Sequence, residues 1–158
     1  MHDNKMRTEI LTIDKGQCLT DVLPAIPANT IFDKTITGCG ATHSEIVNAA
    51  RHSIIIEPNI PVILGKKAEH PFLFAVYEGI TKEDVEAYLA GEHDGYRKII
   101  TTPEGFDKKV LPAMHELEIP VYKDYFLLFD ECEKAIQDVG YRGDIYPVSY
   151  THLTLPTI

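Results

Sequence analysis

The sequence lacks tryptophan and has little cysteine and comparatively little positive charge. Its three cysteines, Cys18, Cys39 and Cys132, are too few and too far apart for a disulfide framework or a zinc site. Against 24 acidic residues it has 15 Lys and Arg, and the formal net charge is −9. The chain is therefore not broadly covered with phosphate-binding charge, and we expect any nucleic-acid contact to be local. The few cysteines favour a reducing, cytoplasmic location.

Long apolar runs are also absent. No stretch approaches the roughly 20 apolar residues that a membrane-spanning helix needs. Residues 1–11 lack the apolar core of a secretory signal. The overall composition, 44% hydrophobic and 25% charged over 158 residues, is typical of a globular domain with a substantial core. We therefore expect one globular domain and no membrane partner.

The last eleven positions, residues 148–158, differ from the rest because they contain no charged residue. They resemble the translated read-through of a transposon-based sequencing adapter, a tail found on reading frames from metagenomic assemblies. The alternative is a genuine terminal strand, since Val148 and Tyr150 favour extended chain. The first interpretation divides the chain into an N-terminal extension (1–29), a truncated domain (30–147) and a non-native tail (148–158). The natural protein would then continue beyond about Pro147.

Apolar patterning predicts alternating strands and helices. Residues 53–58 are a run of β-branched residues, typical of a strand buried on both faces of a parallel sheet. Thr81 as N-cap, Asp84 at the capping-box position and Gly91 after the last turn predict a helix over 82–90. The other predicted strands or extended segments are 8–14, 30–37, 62–65, 97–106 (running into a turn) and 124–131. The other predicted helices are a short one from Thr42 and one over 106–118, with Pro112 bending it or starting its second half.

This alternation predicts an α/β fold, a mostly parallel sheet with helices on both faces. Between the second strand and the first helix lies Lys34-Thr-Ile-Thr-Gly-Cys-Gly-Ala-Thr42. Glycines at such a turn let backbone N–H groups point at an anion, and the following helix adds the positive end of its dipole. Thr42 would place a hydroxyl where Mg²⁺ sits in a nucleotide site. A plain turn remains the alternative interpretation.

A second motif follows the strongest strand. The apolar residues up to Phe129 end in the adjacent carboxylates Asp130 and Glu131. A parallel sheet presents such residues at its carboxyl edge, where α/β folds bind ligands, and strand alternation turns the two side chains in different directions. Asp130 would hold Mg²⁺ through its water shell, and Glu131 would orient or deprotonate an attacking water. A strand that simply ends in solvated acids is the alternative.

The order of these segments resembles the first motor domain of superfamily 2 helicases and related DEAD/DEAH-type ATPases. Motif I, T-G-x-G-K-T, is matched by residues 37–42, except that Ala41 replaces the lysine. Motifs Ia and Ib are similar to residues 57–59 and 102–104, and motif II to residues 130–133. The resemblance covers about residues 30–135.

The resemblance implies a RecA-like P-loop NTPase lobe that binds ATP and Mg²⁺ and acts on DNA or RNA. The residues implied for the nucleotide are Lys34, Thr37, Gly38, Cys39, Gly40, Ala41 and Thr42. Thr42 and Asp130 would hold the metal, and Glu131 and Asp130 would be catalytic. The residues implied for nucleic acid are Pro58, Asn59, Thr102 and Pro103. A second motor lobe, missing from this chain, would supply the arginine finger, so we expect little hydrolysis by this chain alone.

The missing motif I lysine leaves alternatives open. Lys34 could substitute for its charge from before the loop, or it could be a solvated lysine at a strand end. A catalytically dead binding or scaffold module that keeps a degenerate P-loop fold is the rival function. Another doubly wound domain that binds a different phosphorylated ligand at 38–42 is a third.

Overall fold

An all-parallel, four-stranded sheet is the centre of the fold. The computed structural model describes residues 8–32 and 40–131. The strands are β1 (His52–Ile56), β2 (Phe74–Val76), β3 (Lys98–Thr101) and β4 (Tyr125–Phe129), in the spatial order β2-β3-β1-β4. Ile56 at the end of β1 lies opposite Thr101 of β3 and Phe129 of β4. The three strands therefore end together at one edge of the sheet.

Short helices connect the strands. The longest are α3 and α4, and a π-helical segment, Phe106–Val110, leads directly into α6. The helices are α1 (Leu19–Val22), α2 (Ala41–Val47), α3 (Ile60–Glu69), α4 (Lys82–Ala90), α5 (Pro103–Gly105), α6 (Leu111–Glu116) and α7 (Val121–Asp124). In the described residues, no helix is long and apolar enough to span a membrane.

Two apolar clusters cover the two faces of the sheet. Side chains alternate along each strand, so Ile54 and Ile56 enter one cluster and Ile55 enters the other. The first cluster contains buried residues of α4, the π-helical segment and α6, and the second contains buried residues of α1, α2 and α3. Helices therefore lie on both faces, and the predicted α/β architecture with a parallel sheet is confirmed.

The stronger local patterns predicted the elements correctly. Strands form within 97–106 and 124–131, the strand predicted at 53–58 is β1 (His52–Ile56), and helix α4 spans 82–90 as predicted. The capping box is present, because Asp84 N–H donates to Thr81 Oγ1 (3.1 Å) and Thr81 N–H donates to Asp84 Oδ2 (2.8 Å). Pro112 lies in the first turn of α6, where proline is tolerated. It therefore starts the second half of the predicted helix.

Two predicted extended segments were wrong. Residues 62–65 lie inside α3, where Pro61 occupies the first turn and Ile63 is buried while its neighbours Val62 and Leu64 are exposed. Residues 8–14 form no strand, and Ile10 is 85% exposed. Residues 30–32 are irregular, and the rest of the predicted strand 30–37 lies outside the described residues.

The segment that was predicted to be an N-terminal extension packs on the sheet. Leu19 and Ile26 are fully buried in the cluster that contains Ile55 and Leu128. The described part of residues 1–29 therefore contributes to the same core as the strands. The predicted tail, residues 148–158, lies outside the described residues.

Candidate functional site

The carboxyl edge of the sheet gathers polar residues from three strands. Residues 57–59 follow β1, Thr102 follows β3, and Asp130 and Glu131 follow β4. Because the strands are parallel and end in register, these segments meet at one edge. Helix α2 brings Thr42 to the same place.

Thr42 and Asp130 form the central contact of this edge. They are 88 residues apart in the chain, and the Thr42 hydroxyl donates a hydrogen bond to Asp130 Oδ2. The other carboxylate oxygen, Oδ1, accepts from the Glu131 backbone N–H at 3.0 Å. Asp130 N–H donates to the Ile56 carbonyl at 2.9 Å, which continues the β1–β4 ladder by one residue. The backbone and both carboxylate oxygens of Asp130 are thus fixed.

Gly40 directs the chain into α2. Its φ of 81° lies in the left-handed region, which glycine adopts without a steric penalty. The next residue, Ala41, is only 8% exposed and packs in the same apolar cluster as Ile46. A buried methyl group therefore occupies the position where the resembled motif has its phosphate-binding lysine.

Glu131 extends from the edge toward the loop after β1. Its φ of 53° is also left-handed, although it is not glycine, and the residue is exposed. Its Oε2 accepts a hydrogen bond from Asn59 Nδ2 at 3.0 Å. Asn59 N–H in turn donates to Oε1 of Glu57 at 3.0 Å, and Glu57 is only 2% exposed.

The residues after β3 serve the local backbone. Thr102 is the N-cap of α5, and its hydroxyl accepts from Gly105 N–H at 3.0 Å. Pro103 is buried in the first helical position. These contacts account for a Thr-Pro pair at a helix start, and a nucleic-acid role for the pair stays a prediction.

The structure brings together Thr42, Asp130, Glu131 and Asn59, which the sequence placed in three separate motifs. Gly40 and Ala41 immediately precede Thr42, and Pro58 is half-buried between Glu57 and Asn59. The remaining residues predicted for the nucleotide, Lys34, Thr37, Gly38 and Cys39, lie outside the described residues.

The donor atoms at this edge suit a hard cation. Across residues 8–32 and 40–131, no group of three or more His, Cys, Asp or Glu side chains is arranged to hold a metal ion. A hydroxyl and a carboxylate are oxygen donors, and Mg²⁺ commonly binds through one or two protein ligands while it keeps several waters. The Thr42–Asp130 pair therefore fits Mg²⁺ and not a closed zinc site.

A buried ionic network fixes α2, the helix that carries Thr42, to the opposite end of the sheet. Glu45 accepts hydrogen bonds from Arg51 Nε (2.9 Å) and Nη2 (2.6 Å) and from the Ser53 hydroxyl. Lys98 Nζ donates to Ser53 Oγ at 2.8 Å and lies 3.8 Å from Glu45 Oε1. Burial lowers the pKa of Lys98 to about 8. The sequence did not predict this network.

Comparisons with known proteins add no relative: no family model, no curated protein and no solved structure matches the chain.

Proposed function

We propose that this chain binds Mg²⁺ and ATP at the carboxyl edge of its sheet, as the nucleotide-binding lobe of a helicase-like ATPase that acts on nucleic acid. One observation carries the proposal. The Thr42 hydroxyl donates to the Asp130 carboxylate across 88 residues of sequence, and the strand order is what brings the two residues together. A hydroxyl at a helix start beside a carboxylate at a strand end is the donor pair that holds Mg²⁺ in P-loop nucleotide sites.

Each residue at the edge has a role in this proposal. Thr42 and Asp130 would hold Mg²⁺, which neutralises charge on the phosphate oxygens when it is bound. Glu131, adjacent to Asp130 and exposed, would orient or deprotonate the attacking water. Nucleic acid would cross the loops after β1 and β3, at residues 58–59 and 102–103.

The buried Ala41 lowers the expected rate of ATP hydrolysis. The lysine of the P-loop pattern cradles the β- and γ-phosphates, and a methyl group in the apolar core cannot replace that charge. We therefore expect slow hydrolysis. Measuring the ATP affinity of Lys34→Ala tests whether Lys34 supplies the charge. An unchanged affinity would show that Lys34 is not part of the site.

The same observation favours a second candidate, a nucleotide-binding module without catalysis. A site that retains the metal ligands but lacks the phosphate-binding lysine can bind Mg²⁺-ATP and release it unchanged. The adjacent Glu131 argues for hydrolysis, because binding alone does not require a second carboxylate beside Asp130.

Thermal unfolding with Mg²⁺-ATP tests the binding proposal. A ligand that binds only the folded state raises the Tm, and about 2.7 kcal/mol of stabilisation is expected at a concentration 100 times Kd. We expect a Tm rise that disappears when EDTA replaces Mg²⁺, and that is lost in Asp130→Asn and reduced in Thr42→Val. Asp94→Asn removes a carboxylate from an exposed loop and should retain the rise. An equal rise in Asp130→Asn would refute the site.

Single-turnover phosphate release, with protein in excess over labelled ATP, distinguishes the two candidates. Release by the wild-type chain that falls at least tenfold in Glu131→Gln, with the Tm rise retained, supports the ATPase. A Tm rise without phosphate release by either protein supports the binding module, and equal release by both proteins would exclude Glu131 from catalysis.

A further inference from the structure

Asn59 holds an N-cap position without using its side chain as a cap. Helix α3 begins at Ile60, and no side-chain hydrogen bond caps it. Its first turn uses the Asn59 backbone carbonyl instead, which accepts from Val62 N–H and Ile63 N–H at 3.1 Å each. Asparagine is favoured at N-caps because its amide oxygen usually accepts from the second or third N–H of the helix. Here the side chain makes a contact outside the helix.

That side chain is directed at Glu131. Asn59 Nδ2 donates to Glu131 Oε2 at 3.0 Å, and the two residues are 72 positions apart. A local capping preference does not produce such a contact, because it depends on β1 and β4 being neighbours in the sheet.

The backbone of Asn59 is itself anchored. Its N–H donates to Glu57 Oε1 at 3.0 Å, and Glu57 N–H donates to the Thr101 carbonyl at 2.9 Å. Glu57 is almost completely buried. The amide that contacts Glu131 is therefore presented from a segment that is attached to β3 and anchored by a buried glutamate.

An exposed glutamate needs such an anchor if it is to orient a water. A free glutamate side chain samples several rotamers, and fixing it costs entropy at the moment of reaction. A misplacement of about 1 Å can cost about a hundredfold in rate. A fixed donor on Oε2 restricts these rotamers.

We infer that Asn59 is a positioning residue that orients the Glu131 carboxylate through its side-chain amide. The inference rests on the proposed function, since it concerns the water that attacks ATP. It gives Asn59 a role in hydrolysis, beside the nucleic-acid path that the proposed function places over residues 58–59.

The test compares Asn59→Ala and Asn59→Asp with the wild-type chain in single-turnover phosphate release, with Mg²⁺ present and protein in saturating excess over labelled ATP. We expect the rate to fall about tenfold to a hundredfold in Asn59→Ala, with the protein concentration for half-maximal rate unchanged. Asn59→Asp keeps the shape but replaces the donor by a second carboxylate, so its rate should fall at least as far. Asn48→Ala is the matched control, because it removes an asparagine side chain that accepts from Ala50 N–H (2.9 Å) at the far end of α2.

A double-mutant cycle shows whether Asn59 acts through Glu131. In the Glu131→Gln background, Asn59→Ala should slow phosphate release no further, because the group that it positions is already gone. A purely structural role would instead lower the rate by the same factor in both backgrounds, and that result would overturn the inference.

The outcomes also distinguish the two proposals. If the wild-type chain releases no phosphate, the ATPase proposal fails, and the role of Asn59 fails with it. If the wild-type chain releases phosphate and Asn59→Ala releases it at the wild-type rate, only the role of Asn59 is overturned.

Discussion

At the scale of single residues, the Glu45 carboxylate is the anion of a largely buried ionic network. It is fully buried, accepts hydrogen bonds from the Arg51 guanidinium and the Ser53 hydroxyl, and lies close to the buried Lys98 ammonium group. Burying Glu45 and Lys98 costs solvation free energy, so removing the partner of a buried charge is strongly destabilising.

We predict that Glu45→Gln destabilises the fold by about 3 kcal/mol or more, because it leaves the Lys98 and Arg51 cations without their anion. Urea unfolding measures the effect as a lower transition midpoint. Glu69→Gln is the matched control, since it removes a carboxylate from an exposed pair with Lys66 and should hardly move the midpoint. Equal midpoints for the two variants would contradict the prediction.

The residues of the candidate site could be predicted from the sequence, whereas the network could not. Thr42, Asp130 and Glu131 stand at ends of patterned segments, where residue type and position indicate chemistry. Buried charges such as Glu45 and Lys98 look the same in a sequence as surface charges. The available signal was a polar residue near the start of each of two apolar strands. Lys98 is the first residue of β3, and it lies opposite Ser53, the second residue of β1.

At the scale of elements, the junction of β3, α5 and the π-helical segment depends on one glycine. Gly105 is buried, and a Cβ atom there would lie 2.5 Å from Thr101 Oγ1 and 3.1 Å from the Val76 carbonyl. Its φ of −62° is helical, so the requirement is for space and not for an unusual backbone.

We predict that Gly105→Ala lowers the free energy of unfolding by about 1–3 kcal/mol, because the new methyl group overlaps β3 and the end of β2. Gly65→Ala is the matched control. Gly65 lies within α3 with no neighbour within 4 Å of its Cβ position, so alanine should stabilise the helix by about 0.5–1 kcal/mol. Thermal unfolding of both variants checks the opposite signs, and a stabilised Gly105→Ala would contradict the packing described here.

Elements with their own local signals were predicted, and the others depend on tertiary packing. Helix α4 has a capping box, β4 is a continuous apolar run, and β1 contains three consecutive isoleucines. Strand β2 has only three residues, which are too few to show the alternation of apolar and polar residues that predicts a strand. Helix α3 contains a glycine and a proline, so only its packing against β2 and the sheet distinguishes it from an extended segment.

At the scale of the whole molecule, stability should rise as the pH increases from about 8 toward 10. The pKa of Lys98 is about 8 in the folded chain, because of burial, and 10.5 is its ordinary value. Between pH 8 and pH 10.5 the unfolded chain binds more protons than the folded chain, so the free energy of unfolding rises with pH. The contribution of Lys98 to this rise is at most about 3 kcal/mol.

Above pH 10 the tyrosines reverse this trend. Burial raises the pKa of Tyr88 to about 12 and also raises that of Tyr125, so the unfolded chain loses these protons first and stability falls. Urea unfolding from pH 7 to pH 11 measures both limbs. Lys98→Met should abolish the rise below pH 10 and leave the fall above it, and a rise that persists in Lys98→Met would exclude Lys98 as its source.

The fold class of the molecule could be predicted, but the arrangement of its strands could not. Alternating strands and helices indicate a parallel sheet, whereas the order β2-β3-β1-β4 depends on which apolar faces pack together across long stretches of chain. The proximity of Thr42 to Asp130, and of Asn59 to Glu131, follows from that order.

The left-handed backbone at Glu131 lowers stability, whereas the carboxylate at this position is needed for the proposed hydrolysis. Glycine or asparagine adopts a φ of 53° at less cost than glutamate, so Glu131→Gly should relieve local strain while it removes the carboxylate. If this carboxylate activates water, the chain retains a locally unfavourable conformation for the sake of its reaction. A descendant that lost hydrolysis and kept only binding would no longer need this carboxylate, and glycine or asparagine at position 131 would then raise its stability.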